Sequence, residues 1–449
     1  MNFASPIFLF AFLPLVLIAY HLLRPIRAKN VLLIAAGLVF YAFGDLRHLP
    51  LLLASCALHY GVGLALMRAR RGRRLLLAAC VTVDLAVLAA YKWHGALPLG
   101  ISFYTFQAIS YIVDVSRAPQ SGTRSFRRAL QYLTFFPQLT AGPLMRFSEV
   151  QPLLDTRHVT WDGAFDGCSR FICGLAKKLL LAAAAAQLAN AVYAQTSFDA
   201  LCAWTGAVCY CLQLYFDFSG YCDMATGVGL MFNIKIPINF NSPYKSLNIR
   251  EFWQRWHITL SRFLTTYIYF PLGGSRKGMA RTCVNLMIVF LLSGLWHGAG
   301  WLFLLWGLMH GAASVLYRLF RKPYDRLHPA LQWLVNFGFI VVAWVFFRAT
   351  SLTDALAIVK SMLMMNFGPL RDSITSAFAL PGGFHEGYNA IYMMIWYAAS
   401  LFACLGLRNT YEKTMDFHPT LCNALTTVLM IVYCTLSLSS VSVFLYFNF

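Results

Sequence analysis

Three histidines stand where imidazole is an unusual residue. His297 lies in GLWHGAGW (294–301), His257 closes EFWQRWH (251–257) and His310 closes LWGLMH (305–310). Imidazole is the side chain that takes and returns a proton near neutral pH. No other charged side chain occurs between Arg281 and His297, and those 16 steps cover roughly 24 Å of straight helix. With a hydrocarbon core about 30 Å thick, the His297 ring falls within the membrane. Desolvation disfavours the imidazolium there and leaves a neutral ring able to accept a proton. A hydrogen-bonded core histidine would carry the same signature, so both readings stand on composition alone. Gly294, Gly298 and Gly300 remove bulk beside the ring and let a ligand or a backbone approach. A metal site is not expected of the three histidines: they are 40 and 13 residues apart, with no acidic second shell.

Other residues invite chemistry more weakly. Asp217 and Asp223 interrupt an apolar block (200–232), where a carboxylate is costly unless it faces protein or water. They read as interior groups, structural ahead of site-lining. The chain ends VFLYFNF (443–449), directly after an apolar run. Such an ending suits an interfacial aromatic belt, but the Tyr446 phenol can also accept an acyl group if a base removes its proton. No GxSxG elbow, GK[ST] phosphate loop, HExxH or GxGxxG fingerprint occurs, which removes the common serine hydrolases, NTPases, zincins and dinucleotide enzymes. The twelve cysteines include no CxxC pair and sit mostly in apolar stretches, as small core residues do.

Apolar helices must position these groups. Of 449 residues, 59% are hydrophobic and 12% charged, which excludes a disordered chain, a disulfide-stapled module and an ordinary soluble enzyme. The net charge of +19 would suggest nucleic acid in a soluble protein. Here the basic residues sit in short clusters between apolar runs, as the positive-inside rule requires, and no basic face is left for nucleic acid. The runs 6–23, 31–43, 49–67, 75–91 and 99–115 alternate between lightly and heavily basic flanks, so the N-terminus is expected outside. Residues 130–145 hold Pro137, Gly142 and Pro143, which predicts a re-entrant element rather than a straight span. Further runs bring the expectation to ten to twelve spans, with the C-terminus outside. The stretch 233–281 carries eight basic residues against Glu251, interleaved with Trp253 and Trp256. It suits interfacial helices and either a positive-inside loop or a pocket for an anionic cofactor.

The segments REFWQRWHITLS (250–261), YFPLGGSRK (269–277), GLWHG (294–298) and LWGLMHG (305–311) together resemble the membrane-bound O-acyltransferases, in particular the alginate O-acetyltransferase-like branch. FFPQLTAGP (135–143) and YFDFSG (215–220) support the likeness, which covers most of the chain. The resemblance implies one all-α polytopic domain over residues 1–449, a ring of about ten to twelve tilted helices with re-entrant and interfacial helices around a central tunnel. It carries the family's catalytic histidine onto His297 and its second functional position onto His257. It implies acetyl-CoA as a cytosolic acyl donor, with no resident cofactor, in the bacterial inner membrane. The acceptor would be an extracytoplasmic polysaccharide, reached directly or through a periplasmic SGNH-type O-acetyltransferase. The ending FLYFNF (444–449) resembles a C-terminal motif of this branch and marks Tyr446 as an acyl relay.

The expected mechanism follows from these roles. Arg250, Arg255, Arg276 and Lys277, with Trp253 and Trp256, would hold the donor; charged contacts to its phosphates are the strong kind. His297 would act as general base, with His257 or a backbone amide stabilising the oxyanion. D-alanyl transfer or lipid acylation would use the same parts. A transporter would use Asp217, Asp223 and His297 as relay groups, but the halves of the chain show no self-similarity.

Overall fold

A computed structural model describes residues 1–69, 71–95, 97–157, 160–364, 366–369, 371–378, 389–415, 420–438 and 445. Among them the regular structure is helical, apart from one isolated bridge between Phe240 and Trp256. Six helical stretches are long and apolar enough to cross a membrane: Ile26–Arg68, Arg73–His94, Trp161–Tyr193, Gly278–His297, Trp301–Leu319 and Pro329–Arg348. Three shorter apolar helices are Phe8–Leu22, Ala390–Leu405 and Leu421–Leu436. The stretch Ile26–Arg68 contains two of the expected runs, Ile26–Asp45 and Leu49–Arg68, joined by a 3-10 turn at Leu46–His48. An all-α polytopic membrane protein is what these helices form.

The chain divides into two compact units, Met1–Phe171 with Tyr221–Ile238 and Ile172–Gly220 with Asn239–Phe449. In the first, the helix Ile101–Arg117 is buried at every position from 101 to 112. A helix buried on every face, with Ser102, Thr105, Gln107 and Ser110 among its buried residues, is a core helix, not a lipid-facing one. The expected re-entrant element at 130–145 takes a broken form: the helix Phe126–Thr134 stops at an extended Phe135, and a single turn follows at Phe136–Leu139. Residues 131–145 are all buried, so the freed backbone groups need partners inside the protein. Gln138 donates to the Tyr132 carbonyl at 2.8 Å, and the Tyr132 hydroxyl donates to the Met145 carbonyl at 2.7 Å. Asp223 lies 3.5 Å from Arg170 in this unit, both buried.

In the second unit, Gly278–His297 and Trp301–Leu319 form a tight helical pair joined across Gly298–Gly300. Their crossing needs glycine. A Cβ on Gly294 would stand 2.3 Å from the Phe303 carbonyl oxygen, and one on Gly307 would stand 2.4 Å from that of Phe290. Small residues at the crossing let the two backbones approach. The neighbour that Gly294 admits is therefore a helix, not a ligand. Asp217 pairs with Lys178 at 2.5 Å, both buried. Asp217 and Asp223 are thus each paired with a cation, which a low-dielectric surrounding demands.

Candidate active site

His297 is the last residue of its helix, and the chain then turns extended at Gly298. It is 3% exposed. Its ring packs against Trp296, Trp306 and Phe347, with centroids 4.7, 5.1 and 5.2 Å away. Trp306 also meets His310 at 4.6 Å, and Trp296 meets His257 at 6.2 Å. The three histidines therefore share one aromatic cage, but indole rings stand between them. They do not converge on a common point.

His257 is held by its backbone. It sits between the short helices Ile249–Arg255 and Ile258–Leu264 at φ 45°, a left-handed conformation costly for a residue with a Cβ. Asn239 pins it there. The Asn239 Oδ1 accepts from the Thr259 backbone N–H at 3.0 Å and the Thr259 hydroxyl at 2.9 Å, and lies 3.3 Å from His257 Nδ1. An oxygen that already accepts twice can only accept again, so Nδ1 carries the proton and Nε2 presents a lone pair. Burial pushes the ring's pKa down to about 3, so it stays neutral at physiological pH. A neutral ring in this tautomer cannot donate to an oxyanion from Nε2. The oxyanion role expected of His257 does not fit this geometry, which makes it an acceptor.

A cavity of about 860 Å³ opens beside the cage. Its lining includes Arg250, Arg262, Arg318 and Arg321 and no carboxylate among the described residues. Trp253 lines it and donates its indole N–H to His310 Nδ1 at 3.3 Å. Ser293, one helical turn before His297, lines it as well. A second cavity of about 770 Å³ is bounded by Gly300, Trp301, Phe303 and Phe347, with Thr350 and Ser351 at its edge. Phe347 packs on His297. His297 thus lies one helical turn from Ser293 of the first cavity, and its ring packs on Phe347 of the second.

Two of the six residues expected to hold an anionic donor, Arg250 and Trp253, line the larger cavity. The other four do not. Arg255 pairs with Glu251 at 2.8 Å and donates to the Asn241 carbonyl at 3.2 Å. Trp256 is buried against Phe240, Phe252 and Trp344, where no donor can reach it. Arg276 and Lys277 belong to the turn before Gly278–His297. Three of the cavity's four arginines went unassigned by sequence. Arg262 is one charge among eight in the basic stretch 233–281, and no motif marks Arg318 or Arg321. Tyr446 lies outside the described residues. Leu445 before it is described, and its backbone N–H donates to Asp217 at 2.9 Å.

Buried imidazoles, an arginine-lined cavity and a second apolar one, all among membrane-spanning helices, are the parts of a membrane-embedded transferase. The comparison with known families agrees: residues 76–353 match the model of MBOAT, the membrane-bound O-acyltransferase family. The chain belongs to that family and is an acyltransferase. It is 38% identical to a peptidoglycan O-acetyltransferase of Helicobacter pylori, over all of this chain and 97% of that protein. It is 39% identical to a probable alginate O-acetylase AlgI of Azotobacter vinelandii, over 83% of this chain and 80% of that one. A teichoic acid D-alanyltransferase of Bacillus subtilis is 28% identical over 56% of this chain and 68% of its own length.

Proposed function

We propose that this protein moves an acetyl group from cytosolic acetyl-CoA through the inner membrane to an extracytoplasmic glycan, with both chain termini on the outer side. Alginate, peptidoglycan, cellulose and other exopolysaccharides are the candidate acceptors. The O-acetyltransferase and O-acetylase names of the two relatives that align over most of this chain support the acyl group and the acceptor class. The observation that carries the mechanism is the position of His297, with Ser293 of the arginine-lined cavity one turn away and Phe347 of the second cavity against its ring. The arginines suit the phosphates of the donor, since charge-assisted bonds to phosphate are strong and arginine presents a fork of donors.

In the proposed step His297 removes the proton of an acceptor hydroxyl as its oxygen attacks the thioester carbon. The carbon–sulfur bond breaks, and the proton passes to the departing thiolate. Backbone amides, not His257, would meet the oxyanion. His257 would accept a hydrogen bond and orient the hydroxyl. Tyr446 is the proposed first acceptor, giving a tyrosyl ester that a periplasmic SGNH-type transferase would relay to the polymer. The bond from Leu445 to buried Asp217 supports this, because it ties the half-buried residue before Tyr446 to a fixed point of the protein.

Labelled acetyl-CoA supplied to the purified protein tests the reading. Transfer of label should fall about 100- to 10,000-fold in His297→Ala, the range for loss of a general base. Full transfer by a normally folded variant would remove His297 from the chemistry. Polymer acetylation unchanged in Tyr446→Phe would remove the relay.

A further inference from the structure

A second set of chemically capable side chains lies in the first unit, between the helices Leu49–Arg68 and Arg73–His94. His59 Nε2 is 2.9 Å from Asp84 Oδ2. Cys80 Sγ is 3.9 Å from that nitrogen and 4.0 Å from that oxygen. His59 is 1% exposed, Cys80 5% and Asp84 9%. Both helices are long and apolar enough to span a membrane, where ionisable side chains are expensive and mark function. Cys80 and Asp84 are four residues apart and so face the same way from one helix.

The hydrogen bonding fixes what His59 can do. Its Nδ1 lies 2.7 Å from the Ser55 main-chain carbonyl. A carbonyl only accepts, so Nδ1 carries the proton and Nε2 of the neutral ring is a lone pair. That lone pair faces a carboxylate oxygen at 2.9 Å. The contact is attractive only if a cation stands between the two atoms, either a proton or a metal ion. With a shared proton the thiol is only a weak donor to the same carboxylate, 4.0 Å away, whereas a metal ion takes its thiolate as a full ligand. The three donor atoms make an acute triangle whose edges give a circumradius of about 2.1 Å, against zinc–ligand bonds of about 2.0–2.3 Å to N, O and S. Charge balance agrees. One divalent ion with a thiolate, a carboxylate and a neutral imidazole sums to zero, the state a low-dielectric surrounding favours. Sulfur and nitrogen donors select zinc-like ions over magnesium or calcium, which take oxygen.

We propose that His59, Cys80 and Asp84 bind one divalent transition-metal ion, with Zn²⁺ the best match, and that the ion clasps the two helices together. On binding, the metal replaces the Nε2 proton and the thiol proton, which leave to solvent; no electron moves. None of the residues assigned to acyl transfer takes part in it.

The test uses the full chain in detergent, stripped with chelator, reloaded with Zn²⁺ and dialysed. About one equivalent of zinc should remain by mass spectrometry, and Cys80→Ser and Asp84→Asn should retain little, since each loses an anionic ligand. Zn²⁺ should also raise the melting temperature of the wild type but not of Cys80→Ser, because a ligand bound only by the folded state stabilises it. Should the variants fold poorly, one equivalent of Co²⁺ in the wild type with Cys168 and Cys422 changed to Ser is the readout, as a thiolate ligand gives an intense charge-transfer absorption and those are the exposed cysteines among the described residues. Absence of that absorption, absence of stoichiometric zinc in the wild type, or full loading of folded Cys80→Ser would each overturn the site and leave a proton-bridged histidine–aspartate pair.

Discussion

Trp253 and His310 are joined by a 3.3 Å hydrogen bond from the indole N–H to Nδ1. One partner lines the arginine-bearing cavity and the other is fully buried in the aromatic cage. The bond fixes the His310 tautomer, since an accepting Nδ1 leaves the ring proton on Nε2. It also fixes the indole that forms part of the cavity wall.

Trp253→Phe keeps an aromatic wall and deletes this bond. A single hydrogen bond is worth about 0.5–1.5 kcal/mol, so the KM for the acyl donor should rise about two- to tenfold with kcat little changed. Initial rates against donor concentration measure it. An equal fall in kcat would instead place Trp253 in the transition state.

The arginines of the cavity separate from the other basic residues. Arg250→Gln or Arg318→Gln should each raise the donor KM about tenfold or more, because a bond to a charged group contributes about 1.5–3 kcal/mol. Arg276→Gln and Lys277→Gln should stay near wild type. Rising salt should weaken donor binding in the wild type and less so in the arginine variants. Equal effects at all four positions would mean that general surface charge, not this cavity, holds the donor.

Stability should depend on pH through His257. Its pKa in the folded protein is about 3, held down by burial, against about 6.5 unfolded. Between these values the unfolded chain binds a proton that the folded one does not. Stability is therefore full above about pH 6.5 and declines as pH falls toward about 3. Thermal unfolding across that window should show the decline, and His257→Gln should flatten it. The same pKa predicts that His257 adds no inflection to the rate profile between pH 6 and 8.

Lys178 and Asp217 are both buried and 2.5 Å apart. Removing one partner strands a charge, which costs about 3–5 kcal/mol. Asp217→Ala should therefore lower folded yield sharply, and the double change Lys178→Met with Asp217→Leu should recover much of it. Folded protein by size-exclusion chromatography is the measure. Asp217 also accepts from the Leu445 N–H, so protease protection of the C-terminal end should fall in the recovered double variant.

Much of this protein is legible in its residue order. Long apolar runs in a chain that is 12% charged leave only helices in a membrane, because lipid cannot satisfy a backbone polar group. Pro137, Gly142 and Pro143 foretold the break that ends the helix Phe126–Thr134, since proline removes a donor and clashes with the preceding turn. The histidine and tryptophan segments marked the family and the candidate site.

The rest was decided by contacts between distant residues. Nothing local distinguishes Arg318, which lines the cavity, from Arg276, which lies in the turn before Gly278–His297. The tautomer of His257 depends on Asn239, 18 residues earlier. The clustering of His59 with Asp84 depends on how two spanning helices pack. Composition sets which groups must leave water or lipid, because transfer energies belong to residue types. Where each charge ends and which nitrogen keeps its proton are set by geometry between chain segments, which only the folded protein supplies.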